Sequence, residues 1–226
     1  MNLNLEPINP TGWKVHQSDH STHTEDGKVR AYFKNLAGSL ILEMESADVV
    51  VGCVAWLTHP DILEALSRKR FVSIIVQKED WLRPDYSPEN EWRARQRARY
   101  ETLQGPCRAE LGGLLAEMDL TSSMEAFDAV RCVGYRNRSQ RDSIPRSHHK
   151  FVVMCNKLEH GVRPFRVWTG SFNFTNNAQR SFENAVAIDD EKLSAAYFAE
   201  YQQVAALSEP LDWTSEWVEP EWRIGS

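Results

Sequence analysis

The chain has 226 residues, of which 42% are hydrophobic and 26% charged, an ordinary make-up for a globular fold with room for one large domain or two small ones. No apolar run approaches the ~20 residues that a membrane-spanning helix needs, and residues 1–15 lack the basic start and apolar core of a secretory signal. The net charge of −6 hides an asymmetry: residues 131–180 hold ten Lys/Arg against two Asp/Glu, and residues 181–226 hold two against ten.

The four cysteines, Cys53, Cys107, Cys132 and Cys155, are scattered without a C-x-x-C pair. Reduced thiols and a cytoplasmic location are the expectation. Residues 1–29 are polar and read as an irregular lead-in. Their histidines His16, His20 and His23 fit no common metal spacing. Tyr32, Phe33, Leu36, Leu40, Ile41 and Met44 recur at helical spacing, which predicts a helix from near Arg30 to near Ser46. The apolar, β-branched run 48–56 predicts a buried strand. Pro60 opens a helix through residue 67, and residues 71–76 form a second buried strand. This β-α-β order favours parallel strands in an α/β sheet.

Pro84 and Pro88 mark a loop. Residues 92–100 read as a strongly basic helix whose arginines, two apart, spread around its surface. A helix over about 109–118 follows, then a short strand over 130–133. Beyond it Arg136, Arg138, Arg141 and Arg146 lie in a polar loop, where their local charge suits a polyanion. Residues 151–155, 165–169 and 185–188 read as strands, and about 191–207 as a helix. The tail, 208–226, is acidic and carries Trp213, Trp217 and Trp222. It reads as packing back on its own domain, with docking to a partner as the alternative.

Three short segments carry the chemistry. On a strand, residues two apart share a face, so His148 and Lys150 point one way and His149 the other. His148 is then the candidate nucleophile, and Lys150 a fixed positive charge for a phosphate oxygen. A strand over 167–169 runs into Gly170, where a glycine permits a sharp turn or a close backbone approach. Ser171 and Asn173 follow as neutral donors to a phosphate. Glu183, just before the strand at 185, supplies a carboxylate that can orient an imidazole and raise its basicity.

His148-x-Lys150, then Gly170-Ser171-x-Asn173, then Glu183-Asn184, resembles the signature of the phospholipase D superfamily, in its small single-motif bacterial nuclease-like branch. The resemblance extends over roughly residues 30–205. It implies one α/β domain at 30–207, with a mixed, mostly parallel central sheet flanked by helices. One position departs: the family pattern H-x-K-x-x-x-x-D puts its Asp where this chain has Cys155. That change leaves an inactive, binding-only copy as an alternative.

In two-motif members of that superfamily one histidine attacks phosphorus and a second protonates the leaving oxygen. No other histidine here has a lysine two residues on. The resemblance therefore implies a homodimer with two His148 side chains facing across a two-fold axis, with Lys150 and Asn173 holding phosphate oxygens. It implies no metal and no cofactor. The expected activity is that of a phosphodiesterase, most directly an endonuclease acting on nucleic acid such as DNA, with Arg136, Arg138, Arg141 and Arg146 on the polyanion. A lipid-cleaving enzyme and a non-catalytic nucleic-acid-binding subunit are the alternatives. A role in restriction or phage defence and a partner ATPase are further associations of the family. No membrane partner is expected.

Overall fold

The computed structural model describes residues 3–4, 11–12, 18–79, 82, 91–111, 127–134 and 146–211. Arg136, Arg138 and Arg141, most of the 80–90 loop, the second half of the helix expected over 109–118, and Trp213, Trp217 and Trp222 lie outside them.

A nine-stranded sheet in the order β1-β2-β8-β7-β6-β3-β4-β5-β9 forms the centre. Its strands are β1 Thr22–His23, β2 Val29–Tyr32, β3 Val49–Val54, β4 Phe71–Gln77, β5 Val130–Val133, β6 Lys150–Lys157, β7 Val162–Gly170, β8 Ala185–Ile188 and β9 Glu209–Pro210. The helices are α1 Leu36–Met44, α2 Pro60–Ser67, α3 Glu91–Glu101, α4 Arg108–Leu111, α5 Asn176–Gln179 and α6 Glu191–Ala206.

The sheet is mixed, but the expectation of mostly parallel strands fails. Among the described residues only β3–β4 and β4–β5 are parallel strand pairs, and the other six pairings are antiparallel. The reason is the connections. A parallel pair needs a crossover, which α2 supplies between β3 and β4, whereas β6, β7 and β8 follow one another as sheet neighbours and so run antiparallel. At the β6–β7 turn Gly161 takes a positive φ of 79°, and Leu158 N donates to Gly161 O at 3.1 Å.

Strand alternation divides the core into two layers. On one face Val50, Val54, Val72, Ile74, Val152, Met154 and Trp168 pack with Leu40 and Met44 of α1 and with Ile62, Leu63 and Leu66 of α2. On the other, Val49, Val51, Cys53, Phe71, Ile75, Phe151, Val153, Cys155 and Val167 pack with Tyr201 and Ala205 of α6. Every residue of β3 and β4 is buried. A strand covered on both faces reads as one continuous apolar run, and that is how these two read in the sequence. The four cysteines are free thiols, three of them buried.

The helix expected from Arg30 is a correction. Residues 29–32 form β2, paired antiparallel with β8, and the helix begins only at Leu36. Between them Asn35 sits in the left-handed region at φ 47°, which a helix cannot pass through. Tyr32 shares the helical spacing but stacks on Trp168 at a ring separation of 5.1 Å. Arg30 and Arg166 close a network on Glu43 and Asp189, joining β2, β7, α1 and the end of β8. Two further segments extend the sheet at its edges: β1 lies inside the lead-in expected to be irregular, and β9 inside the expected tail.

Candidate active site

Strand directions bring the chemistry-bearing segments to one edge. β6 runs antiparallel to β3, β7 to β6 and β8 to β7. The start of β6, the end of β7 and the start of β8 therefore all meet beside the carboxyl ends of β3 and β4. This is the edge at which ligands bind in open α/β sheets. Residues 148–150, 171–173 and 183 are far apart in sequence and come together here.

The backbone of the first segment is pinned from two strands. Ala55 N donates to His149 O at 2.9 Å, and Ser147 N donates to the Gln77 side-chain oxygen at 2.7 Å. Gln77 ends β4 and is 2% exposed. Its amide nitrogen in turn donates to Lys78 O at 2.9 Å. Gly134, at φ 96°, leaves the room, since a Cβ there would stand 2.6 Å from the Gln77 oxygen. Gln77 carries no signal in the sequence beyond its place at the end of an apolar run.

The parity argument holds. Lys150 Nζ lies 3.1 Å from His148 Nδ1, 3.2 Å from Nε2 and 3.0 Å from the His148 carbonyl oxygen. Near-equal distances to two ring nitrogens place the ammonium across the imidazole rather than in line with one lone pair. His149 turns away. Its ring packs edge-on against Phe151 at 5.5 Å, and its Nε2 stands 3.4 Å from Glu200 Oε1 of α6. His148 is exposed, while Lys150 is 8% exposed. Partial desolvation, then the charges of Lys150 and Arg146, hold the His148 imidazole below its ordinary pKa. Burial likewise lowers the Lys150 ammonium, with the Glu183 carboxylate opposing it. The lowered pKa favours the neutral imidazole, the form that can attack an electrophile.

The second and third segments are locked together. Gly170 is needed for a close approach, not for a turn: a Cβ there would stand 2.2 Å from Asn184 O and 2.7 Å from Ala185 Cα. Ser171 N donates to Asn184 O at 3.0 Å, and Asn184 N donates to the Ser171 hydroxyl at 3.0 Å. That hydroxyl donates in turn to the Glu183 carboxylate. Glu183 therefore engages Ser171 and, electrostatically, Lys150, and its hydrogen bond in this structure is not to His148. Ser171, expected to face a phosphate, is occupied in the same contact. The Asn173 side-chain oxygen is buried without a hydrogen-bond partner among the described residues.

Cys155 stands apart from all of this. It falls on the opposite face from Lys150, fully buried beneath α6 with Val153 and Phe151, next to the irregularity in β6–β7 pairing between Met154 and Cys155. Burial raises its thiol pKa, so it is a neutral core residue.

A cleft of about 620 Å³ opens beside the site, lined by Trp56, Trp92, Asn173, Glu183 and the segment around α5. Trp56 meets His148 edge-on, at 6.3 Å between rings and 86° between planes. The loop carrying Trp56 is tied to the end of β7: Phe174 N donates to Trp56 O at 3.1 Å, and Thr58 N and His59 N both donate to Phe174 O at 2.8 Å. From α3, Tyr100 Oη and Gln96 Nε2 donate to Leu57 O at 2.6 and 3.1 Å. The arginines of the basic helix do not all face outward, because Arg93 is buried with Gln96 and Tyr100 along one side of it. Neither tryptophan carries a signal in the sequence: Trp56 ends an apolar run, where an indole is ordinarily core, and Trp92 opens a basic helix. Of the four loop arginines only Arg146 lies within the described residues, where it is exposed.

No family model matches the chain. An uncharacterized protein of Acanthamoeba polyphaga mimivirus is 28% identical over 214 residues, covering 89% of this chain and 74% of its own. Among solved structures, the chain is similar to Nuc from Salmonella typhimurium, described as a phospholipase D family member. Identity is 18%, with a TM-score of 0.48 over 80% of this chain and 95% of that one. It is also similar to NucT from Helicobacter pylori, at 15% identity and a TM-score of 0.49 over 81% and 98% of the two chains.

Proposed function

We propose that this protein is a phosphodiesterase of the phospholipase D type, acting as an endonuclease without a metal. The observation that carries the reading is the convergence of His148, Lys150, Asn173 and Glu183 at one sheet edge, with the Lys150 ammonium across the His148 imidazole. A neutral ring nitrogen is a nucleophile, and the adjacent cation can take charge from a phosphate oxygen as the pentacovalent state forms.

In this mechanism a His148 ring nitrogen forms a bond to phosphorus while the bond to the leaving oxygen breaks. The leaving oxygen takes a proton from a second imidazole that starts as the imidazolium, so of the two rings one enters neutral and the other protonated. Water then gives a proton to that imidazole and attacks phosphorus, and the phosphorus–nitrogen bond breaks. The second imidazole is His148 of another copy in a two-fold dimer, because no other histidine of the chain follows the pattern. Glu183, bonded to Ser171, offsets the charge of Lys150 beside the nucleophile.

The test is cleavage of plasmid and single-stranded DNA in EDTA by wild type and His148→Ala, with sedimentation at micromolar concentration alongside. Wild type is expected to cut as a dimer and the variant to lose at least 10³-fold of the rate, about what a covalent nucleophile contributes. Equal behaviour of the two proteins, or full activity in a monomer, rejects the proposal. Release of headgroup from phospholipid vesicles in place of DNA cleavage would redirect it to a lipid substrate.

A further inference from the structure

Attack on a phosphodiester at His148 does not call for two tryptophans, yet Trp56 and Trp92 line the cleft that opens beside it. They come from different elements, the loop after β3 and the first turn of α3. Trp92 is 39% exposed on a helix whose inner side is already occupied by Arg93, Gln96 and Tyr100. Trp56 is held in place: its Nε1 donates to Glu79 Oε1 at 3.1 Å, and its ring meets His148 edge-on. A flat apolar surface is thereby fixed relative to the nucleophile.

Among the described residues, the rest of the cleft is polar and, Glu183 apart, uncharged. Asn173, Asn176, Asn177 and Ser181 line it, and amides and hydroxyls offer both donors and acceptors. The Asn173 side-chain oxygen, without a partner among the described residues, is one such acceptor. An acyl chain would leave these groups unpaired at a cost. A neutral, flat group with hydrogen-bonding edges fits both the aromatic and the amide walls. A volume near 620 Å³ falls within the ~300–1,000 Å³ usual for small-molecule sites.

We propose that this cleft takes one unstacked nucleobase next to the phosphate attacked at His148, which makes a single-stranded polynucleotide the preferred substrate. The inference rests on the phosphodiesterase reading above and narrows its substrate. Base-on-indole stacking tolerates any sequence, because every base has a flat face. A base paired inside a duplex has no free face to offer and must first be extruded, at an energetic cost.

The experiment separates this inference from the catalytic one. Binding is measured in the His148→Ala protein, by tryptophan quenching and anisotropy, with a ten-nucleotide oligothymidylate and an abasic ten-mer carrying the same phosphates. The base-bearing strand should bind about tenfold more tightly or better. Adding Trp92→Ala should cut the ratio several-fold, leaving what Trp56 supplies, and adding Trp92→Phe should keep most of it. Equal binding of the two ten-mers, or a ratio unmoved by Trp92→Ala, overturns the proposal. Cleavage is scored separately with wild type. Absence of cleavage there alongside a large binding ratio would reject the catalytic reading and leave the base site standing.

Discussion

Replacing Gly170 with alanine tests how the site is built. The added Cβ would stand 2.2 Å from Asn184 O and 2.7 Å from Ala185 Cα, where ordinary contact begins at about 3.4 Å. Both obstacles are backbone, so no rotamer change relieves them, and β7 must separate from the start of β8 by about 1 Å. That shift weakens the Ser171 N to Asn184 O and Asn184 N to Ser171 Oγ bonds, each 3.0 Å long. Overpacking and two weakened hydrogen bonds together cost roughly 2–4 kcal/mol. For a chain of this size that lowers Tm by about 5–15 °C, readable by calorimetry or circular dichroism. Because Ser171 carries Glu183, cleavage measured well below the new Tm should also fall. A Gly170→Ala protein with Tm within about 2 °C of wild type and unchanged activity would refute the close-approach argument.

Glu43→Ala should destabilise the fold by up to about 3 kcal/mol, because it leaves Arg30 and Arg166 with one shared carboxylate, Asp189, in place of two; denaturant titration measures it. The same network gives an acid transition. Burial opposes ionisation of Asp189, but its hydrogen bonds to Arg166 and Arg30 prevail and hold its pKa at about 2. Its stabilisation is fully present above the ordinary value of 3.8 and lost as pH falls through about 2, and Asp189→Asn should remove that acid dependence. For His148, NMR titration should give a midpoint below 6.5, rising in Lys150→Met as the neighbouring positive charge is removed. A midpoint that stays put or falls would mean that Lys150 does not keep the imidazole neutral.

Local pattern alone carried much of the architecture. β3 and β4 are legible because strands covered on both faces must be apolar throughout, and α2 because Pro60 and its amphipathic spacing agree. The order His148, Lys150, Asn173, Glu183 is legible as a candidate site, and strand alternation separates His148 from His149 without coordinates. What needed tertiary structure was everything set by partners distant in sequence. Tyr32 obeys a helical period, but pairing with β8 and stacking on Trp168 make its segment a strand. Strand direction depends on whether a connection is a hairpin or a crossover, which the runs themselves do not encode. The Glu183 carboxylate meets Ser171 because Gly170 lets β7 and β8 approach, and Cys155 is removed from the site because five residues along a strand reverse the face. The cleft between Trp56 and Trp92 exists only because α3 and the β3 loop fold onto the end of β7, and no spacing in the chain records that.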